Sequence, residues 1–382
     1  MGRPGSLEGV ELSRLDVALL APCYWPEVRR GTERFVRELA DGLVADGHRP
    51  TLITSHPGRP RRDMEEGMSV LRLPRPPSGL LDARGYEDYL THVPLSGAAL
   101  LASRPDVAHA LYPTDGVAAA AWSGLTGRPS VLSYMGIPEP AWLSGKRLRR
   151  RALARAVQGC DAVVALSRAV ADEFRRSVGV EVRVINPGVD LDAFTPGGER
   201  SEAPTIFCAA SILAPVKQVD QLVAAFALVR RERPDARLLL SRPADLAAAE
   251  RLIAGADGVE LVDVDDQRAL RDAYRSAWVT ALASVSEAFG LVLVESLACG
   301  TPAIGRRAGA VPEILEPDGV GVLFEGGAEQ LAQALLEGLE LSSDGGAVAT
   351  CRARAEQFST RRCTEQYEAL YDELIAGRKE LD

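Results

Sequence analysis

Two successive runs of alternating apolar strands and helical segments, parted by a stretch rich in proline and glycine, leave this chain few folds to adopt. The first run opens on Leu15-Asp16-Val17-Ala18-Leu19-Leu20-Ala21-Pro22, a nearly unbroken apolar segment closed by a turn residue. That pattern suits a strand buried on both faces of a parallel sheet. A helical segment over 32–46 stops at Gly47, and a strand follows over 50–54. Strands at 107–110, 130–134, 162–165 and 182–185 then alternate with helices at 116–125, from about 146, and at 167–178. Such alternation predicts an α/β domain with a parallel sheet. The Pro/Arg-rich segment 57–78 breaks the pattern and reads as an irregular surface excursion.

Proline and glycine cluster at Asn186-Pro187-Gly188, at Thr195-Pro196-Gly197-Gly198 and on to Pro204, where a linker is expected. A second run begins with a strand over 205–210 and a helix over 219–231. Strands at 236–240, 259–262 and 278–283 alternate with helices at 244–254 and 267–276, and the last strand leads into an apolar helix. Helices at 328–341 and 361–374 close the chain. A length of 382 residues fits two domains, because single cores rarely grow past about 250–300 residues. The expected organisation is a loose tail over 1–12, Rossmann-like domains over 13–197 and 204–357, and a terminal segment over 358–382.

The net charge of −9 is unevenly shared: residues 1–200 carry 26 Lys/Arg and 24 Asp/Glu, residues 201–382 carry 18 and 29. An acidic chain is a poor candidate for general nucleic-acid binding. No apolar stretch approaches the roughly 18 residues needed to cross a membrane, and the N-terminus lacks a signal-peptide core. The six cysteines are scattered without a C-x-x-C, and no two of the four histidines have ligand spacing. A cytoplasmic location without structural metal is therefore expected.

The chemistry concentrates between Ser284 and Pro302, SVSEAFGLVLVESLACGTP. Leu291 to Val294 lead into Glu295, and the run ends at Gly300 and Pro302, helix stop signals. A helix apolar nearly all round is buried, and a carboxylate inside it needs a partner. A pair of ligand hydroxyls is one such partner and a buried arginine is another. Glu287 precedes Phe289-Gly290 at the entry to that helix. Backbone N–H groups at a helix start, beside a glycine that permits close approach, suit a phosphate. Two glutamates and an anion-binding turn are the parts needed to hold a sugar nucleotide.

This stretch resembles the glutamate–seven residues–glutamate signature of the retaining GT-B glycosyltransferases of family 4. Arg30-Gly31-Thr32-Glu33-Arg34 looks like the family's G-G-x-E-R loop with arginine in place of the first glycine. Ser211 to Gln218 matches a segment that usually reads G-R-L, three residues, then K-G; Lys217 is retained, while Ile212 stands where the family has arginine. Asn186 to Asp190, Gly309 to Glu313 and Asp318 to Leu323 match further landmarks. His109 falls where relatives often carry a strand-end histidine, and Met135 replaces a second one.

The resemblance implies a GT-B fold, two Rossmann-like parallel-sheet domains facing across a cleft, with the final helix crossing back to the first domain on Tyr367, Leu370 and Leu374. It implies a retaining, hexosyltransferase-type enzyme that needs no metal or cofactor beyond a nucleotide-diphosphate sugar as co-substrate. Glu287 is the expected catalytic carboxylate. Gly31, Lys217, Phe289, Gly290, Leu291 and Glu295 are the expected donor contacts, with Glu295 accepting from the ribose hydroxyls. Arg30 is a candidate diphosphate contact that substitutes for the missing arginine, and His109 a candidate on the acceptor side. The acceptor, whether small molecule, glycan or lipid-linked, is unassigned. The changes at Arg30, Ile212 and Met135 keep open a scaffold that binds without transferring; a GT-B phosphorylase or epimerase is the other alternative. Asp190-Leu191-Asp192 and Asp263-Val264-Asp265 are not read as metal sites. The basic run from Lys146 to Arg151, with Arg155, reads first as a solvated helix face and second as a peripheral contact with an anionic membrane.

Overall fold

The computed structural model describes residues 14–28 and 31–379; the tail expected over 1–12 and Arg30 lie outside them. The first sheet contains β1 (Asp16–Leu20), β2 (Arg49–His56), β3 (Arg61–Glu65) and β4 (Met68–Pro74). It continues with β5 (Val107–Ala110), β6 (Ser130–Tyr134), β7 (Ala162–Ala165) and β8 (Arg183–Val184). Their spatial order is β3-β4-β2-β1-β5-β6-β7-β8. Neighbours are parallel apart from the antiparallel β3–β4 pair. Every residue of β5, β6 and β7 is buried, as strands covered by helices on both faces must be.

The second sheet is parallel throughout. Its strands are β9 (Thr205–Cys208), β10 (Arg237–Ser241), β11 (Val259–Val262), β12 (Val279–Leu282), β13 (Ala303–Arg306) and β14 (Gly321–Phe324). They run in the order β11-β10-β9-β12-β13-β14. Two doubly wound α/β units of this kind make a GT-B fold.

The final helix, Thr360–Lys379, lays Cys363, Tyr367, Leu370 and Tyr371 into the core of the first unit, with Leu374 packed at its margin. Tyr367 meets Phe35 edge-on at 5.9 Å. Where this return crosses the linker, Val189 N–H donates to Phe358 O (2.9 Å) and Thr360 N–H to Val189 O (3.1 Å). A Cβ on Gly188 would sit 2.3 Å from Thr360 Cα, so only glycine lets the two segments touch.

The segment expected as an irregular excursion over 57–78 is instead β3, β4 and their turn, added to the sheet edge. In β4, Met68, Val70 and Arg72 are buried, and Arg72 is ion-paired to Asp63 and Glu65 of β3. Charged side chains on an edge strand discourage further pairing, which is why the stretch looks like a surface loop in the sequence.

Candidate functional site

Loops that follow strands of both sheets meet at one cleft. Leu111 and Tyr112 follow β5, Met135 and Ile137 follow β6, and Ser286 and Ala288 follow β12, and all of them line a cavity of about 350 Å³. Polar contacts bridge it. Ser286 Oγ donates to Glu139 Oε1 (2.9 Å), and Ser167 Oγ donates to the carbonyl of Ala288 (2.8 Å). The Glu313 carboxylate accepts from the N–H groups of Arg168 (3.0 Å) and Ala169 (2.7 Å), at the start of a helix in the first unit, where a negative charge is favoured.

On the side of the second unit, Lys217 Nζ donates to Glu287 Oε2 at 2.7 Å. The two side chains are mostly buried, at 23% and 15% exposure. Their approach is set by the main chain: the carbonyl of Val216 accepts from Val285 N–H (3.0 Å) and Ser284 Oγ (3.2 Å), which locks the Lys217 loop onto the Glu287 loop. Gly309, at φ +55°, closes the other side. A Cβ there would fall 2.4 Å from the Glu287 carbonyl, which accepts from Ala310 N–H at 3.0 Å. Gly290, at φ +106°, turns the chain into the helix Leu291–Ala298. Phe289 is buried against Phe358, with ring centroids 5.5 Å apart. Lys217, Glu287, Phe289, Gly290 and Leu291 are thus gathered at one helix start, whose first N–H groups have no partner within the helix.

Gln218, following Lys217, adopts a left-handed conformation (φ +48°) where the family pattern has glycine. Ile212 is buried in the core of the second unit, so the side chain at the family's arginine position brings no charge of its own to the cleft. Gly31 begins the helix Gly31–Ala45, and a Cβ placed on it would meet no atom of the described residues within 4 Å.

Glu295 is held differently from its neighbours. It is 2% exposed, and both carboxylate oxygens are engaged: Arg34 Nη1 donates to Oε1, and Tyr274 OH donates to Oε2 at 2.6 Å. Arg34 comes from the first unit and also donates to Glu38 Oε1 at 2.8 Å. Burial pulls the Arg34 value down, but Glu295 and Glu38 outweigh it and the net shift is upward. Burial raises Glu38 to about 7 despite Arg34, and burial beside Glu295 holds the Tyr274 phenol well above its ordinary value. The buried arginine named as an alternative partner is therefore present, and it joins the two units.

His109 does not reach the cleft. It is fully buried, with Nδ1 2.7 Å from Tyr371 OH and Nε2 2.7 Å from Ser133 Oγ. Burial pushes it down to about 3, so it is a neutral core residue under the final helix, and the expected acceptor-side position does not suit it. The two D-x-D segments are used locally: Asp190 Oδ1 accepts from Asp192 and Ala193 N–H, and Asp263 pairs with Arg242. Among the described residues no group of three or more His, Cys, Asp or Glu could hold a metal, and no helix is long and apolar enough to cross a membrane. In the basic run, Lys146 pairs with Asp82 and Arg149 with Glu87, while Arg150, Arg151 and Arg155 are exposed.

Sequence reasoning passed over Arg34, Glu38 and Tyr274. Arg34 stands inside the quoted Gly31-Thr32-Glu33-Arg34 segment, which supplied a signal; Tyr274 had none beyond its place on a helix.

Residues 29–193 match the family model Glycosyltransferase Family 4, and residues 203–340 match Glycosyl transferases group 1. A D-inositol 3-phosphate glycosyltransferase from Xylanimonas cellulosilytica is 30% identical over 371 residues, covering 82% of this chain and 84% of that protein. D-inositol 3-phosphate glycosyltransferase 2 from Catenulispora acidiphila is 31% identical over 262 residues, 58% of this chain and 61% of that protein. The matched length thus falls short of two thirds of the latter relative. Among solved structures, sucrose-phosphate synthase from Thermosynechococcus elongatus superposes with a TM-score of 0.80 at 22% identity, over 95% of this chain and all of that one. The Anabaena protein HepE in complex with UDP-glucose gives 0.73 at 18% identity, again over 95% and 100%.

Proposed function

This chain belongs to glycosyltransferase family 4, and from that premise we propose that it transfers a sugar from a nucleotide-diphosphate sugar to an acceptor hydroxyl with retention of anomeric configuration. The observation that carries the reading is the Lys217–Glu287 pair, held at 2.7 Å beside the Gly290 helix start and at the edge of the interdomain cleft. A lysine ammonium is a compact charge suited to a diphosphate leaving group, and the helix start adds oriented N–H groups. On donor binding Lys217 turns from Glu287 to the diphosphate. Glu287 then faces the sugar, where its carboxylate stabilises positive charge developing at the anomeric carbon.

In the proposed step the acceptor oxygen bonds to the anomeric carbon on the face from which the diphosphate departs. The acceptor proton passes to the departing phosphate oxygen, and the nucleoside diphosphate leaves. No metal is required in this scheme, because Lys217 and the helix start meet the leaving-group charge. Each Glu295 oxygen keeps a lone pair for a ribose hydroxyl, but at 2% exposure the side chain would be reached by moving Arg34 or Tyr274 aside. The exposed Arg150, Arg151 and Arg155 support peripheral contact with an anionic membrane as part of the same reading.

Titration of the protein with UDP, GDP and ADP by calorimetry, followed by NMR of the product from the matching sugar nucleotide, tests the proposal. The expected result is saturable binding of one diphosphate and an α-linked product from an α-linked donor, undiminished by EDTA. An inverted product, or loss of activity in EDTA with rescue by magnesium or manganese, refutes the mechanism.

A further inference from the structure

The first-unit side of the cleft carries its own chemical signature. Its walls are Leu111, Tyr112, Tyr134, Met135, Ile137 and Trp142 with the polar Thr32 and Glu139, and Ser286 faces them from the second unit. Tyr134, 3% exposed, forms the floor and meets Trp142 edge-on at 6.0 Å. Tyr112, Pro113 and Trp142 also line an adjoining apolar cavity of about 200 Å³, so the two form one trough leading outward from Ala288 to Leu148. Together they reach the size range of small-molecule sites.

Charge separates the acceptor classes. Among the described residues no lysine or arginine lines the larger cavity, whereas Glu139 does. In the smaller one Arg149 is the only cation among the described residues, and it is committed. Its guanidinium lies 3.9 Å over the Trp142 ring, Nη1 donates to the Trp142 carbonyl (2.6 Å), and Nε donates to Glu87. Among the described residues a phosphate entering this trough would meet a carboxylate and no uncommitted cation. A planar, uncharged body would instead bury apolar area against Tyr112 and Trp142 over the Tyr134 floor, and aromatic rings favour stacked and edge-on contact.

We propose that the acceptor is an uncharged hydroxyl compound with an aromatic or fused-ring body, seated along Tyr112, Tyr134 and Trp142, and not a phosphorylated polyol. This rests on the transferase reading and assigns the substrate class of the same cleft. Trp142 and Met135 act on specificity: Trp142, 41% exposed, forms the outer wall, and half-buried Met135 stands at the inner end, where its apolar side chain excludes charge.

The test is fluorescence or calorimetric titration of the full chain with 2-naphthol and, separately, with inositol 3-phosphate, each with and without the nucleoside diphosphate that binds. Saturable 2-naphthol binding is expected, weakened at least tenfold in Trp142→Ala, with no saturable binding of inositol 3-phosphate. Met135→Lys should weaken 2-naphthol and introduce binding of inositol 3-phosphate. Wild-type preference for inositol 3-phosphate, or 2-naphthol binding indifferent to both substitutions, overturns the proposal. The nucleotide arm keeps the two readings apart. Diphosphate binding without 2-naphthol binding sinks the acceptor class alone, whereas 2-naphthol binding in a protein that binds no diphosphate sinks the transferase reading and the acceptor assignment with it.

Discussion

Arg34 ties the two units together, and its removal has a calculable consequence. In Arg34→Met the aliphatic stem is kept and the charge is lost. Glu295, 2% exposed, keeps Tyr274 but loses its arginine, and Glu38, whose side chain is 15% exposed, loses its only cation within 4 Å among the described residues. Stranding a buried charge by deleting its partner costs about 3–5 kcal/mol. With an unfolding entropy of about 2.1 cal/mol/K per residue, a chain of 382 residues has roughly 0.8 kcal/mol/K, so Tm should fall by roughly 4–6 °C. The deficit also has a pH signature. Glu38 already titrates near 7 in the folded protein, above its unfolded value, because of burial. Without Arg34 the Glu38 carboxyl holds its proton more tightly still in the folded than in the unfolded chain, because the group that lowered it is gone. Stability then falls as pH rises through that window, so the loss should be smaller at pH 5.5 than at pH 8. Calorimetry of both proteins at the two pH values measures it. A shift below 1 °C, or an equal shift at both pH values, would show that the pair is an incidental contact.

Lys217→Ala should cut turnover by at least a hundredfold, while Glu287→Gln should reduce turnover far more than nucleotide affinity; steady-state kinetics beside calorimetric titration separates the two roles. Glu295→Ala should weaken binding of the cognate nucleoside diphosphate by about 1.5–3 kcal/mol if the ribose displaces Arg34 or Tyr274, and unchanged affinity in a folded variant would leave Glu295 a purely structural partner. His109, held near 3 by burial, stays neutral where an unfolded histidine is charged, so the stability present above about pH 6.5 should drain away as pH falls towards 3. His109→Gln should flatten that part of the stability–pH curve, read by thermal melts.

Elements whose local pattern and burial agree were legible in the sequence. The strands at 107–110, 130–134, 162–165 and 259–262 and the helices at 267–276 and 328–341 coincide with those observed. The first three strands are buried along their whole length, and the helix at 267–276 begins at Asp266, whose side chain accepts from Arg268 and Ala269 N–H. Segments in which composition opposed structure were not. The helix His92–Ser103 contains Pro94 and Gly97 and has little polar face, and β13 and β14 are four residues each, lying among glycines. The hairpin of β3 and β4 hid behind its own edge charges.

For the site, the sequence could announce a debt but not the creditor. Lys217 and Glu287 stand 70 positions apart and Arg34 and Glu295 stand 261 apart, so no periodicity connects either pair. What the residues did require was that a carboxylate inside Leu291–Ala298 be met by donors, because the helix offers it none. A ligand and an arginine satisfy that demand equally well on paper. The choice between them depends on where helix Gly31–Ala45 of one unit lies against Leu291–Ala298 of the other, to which the return of Thr360–Lys379 across the linker and its seat on Phe35, the residue after Arg34, contribute. A donor that uses Glu295 must therefore work against this tie, and Arg34→Met is the variant in which the cost of closing the cleft and the cost of binding the nucleotide come apart.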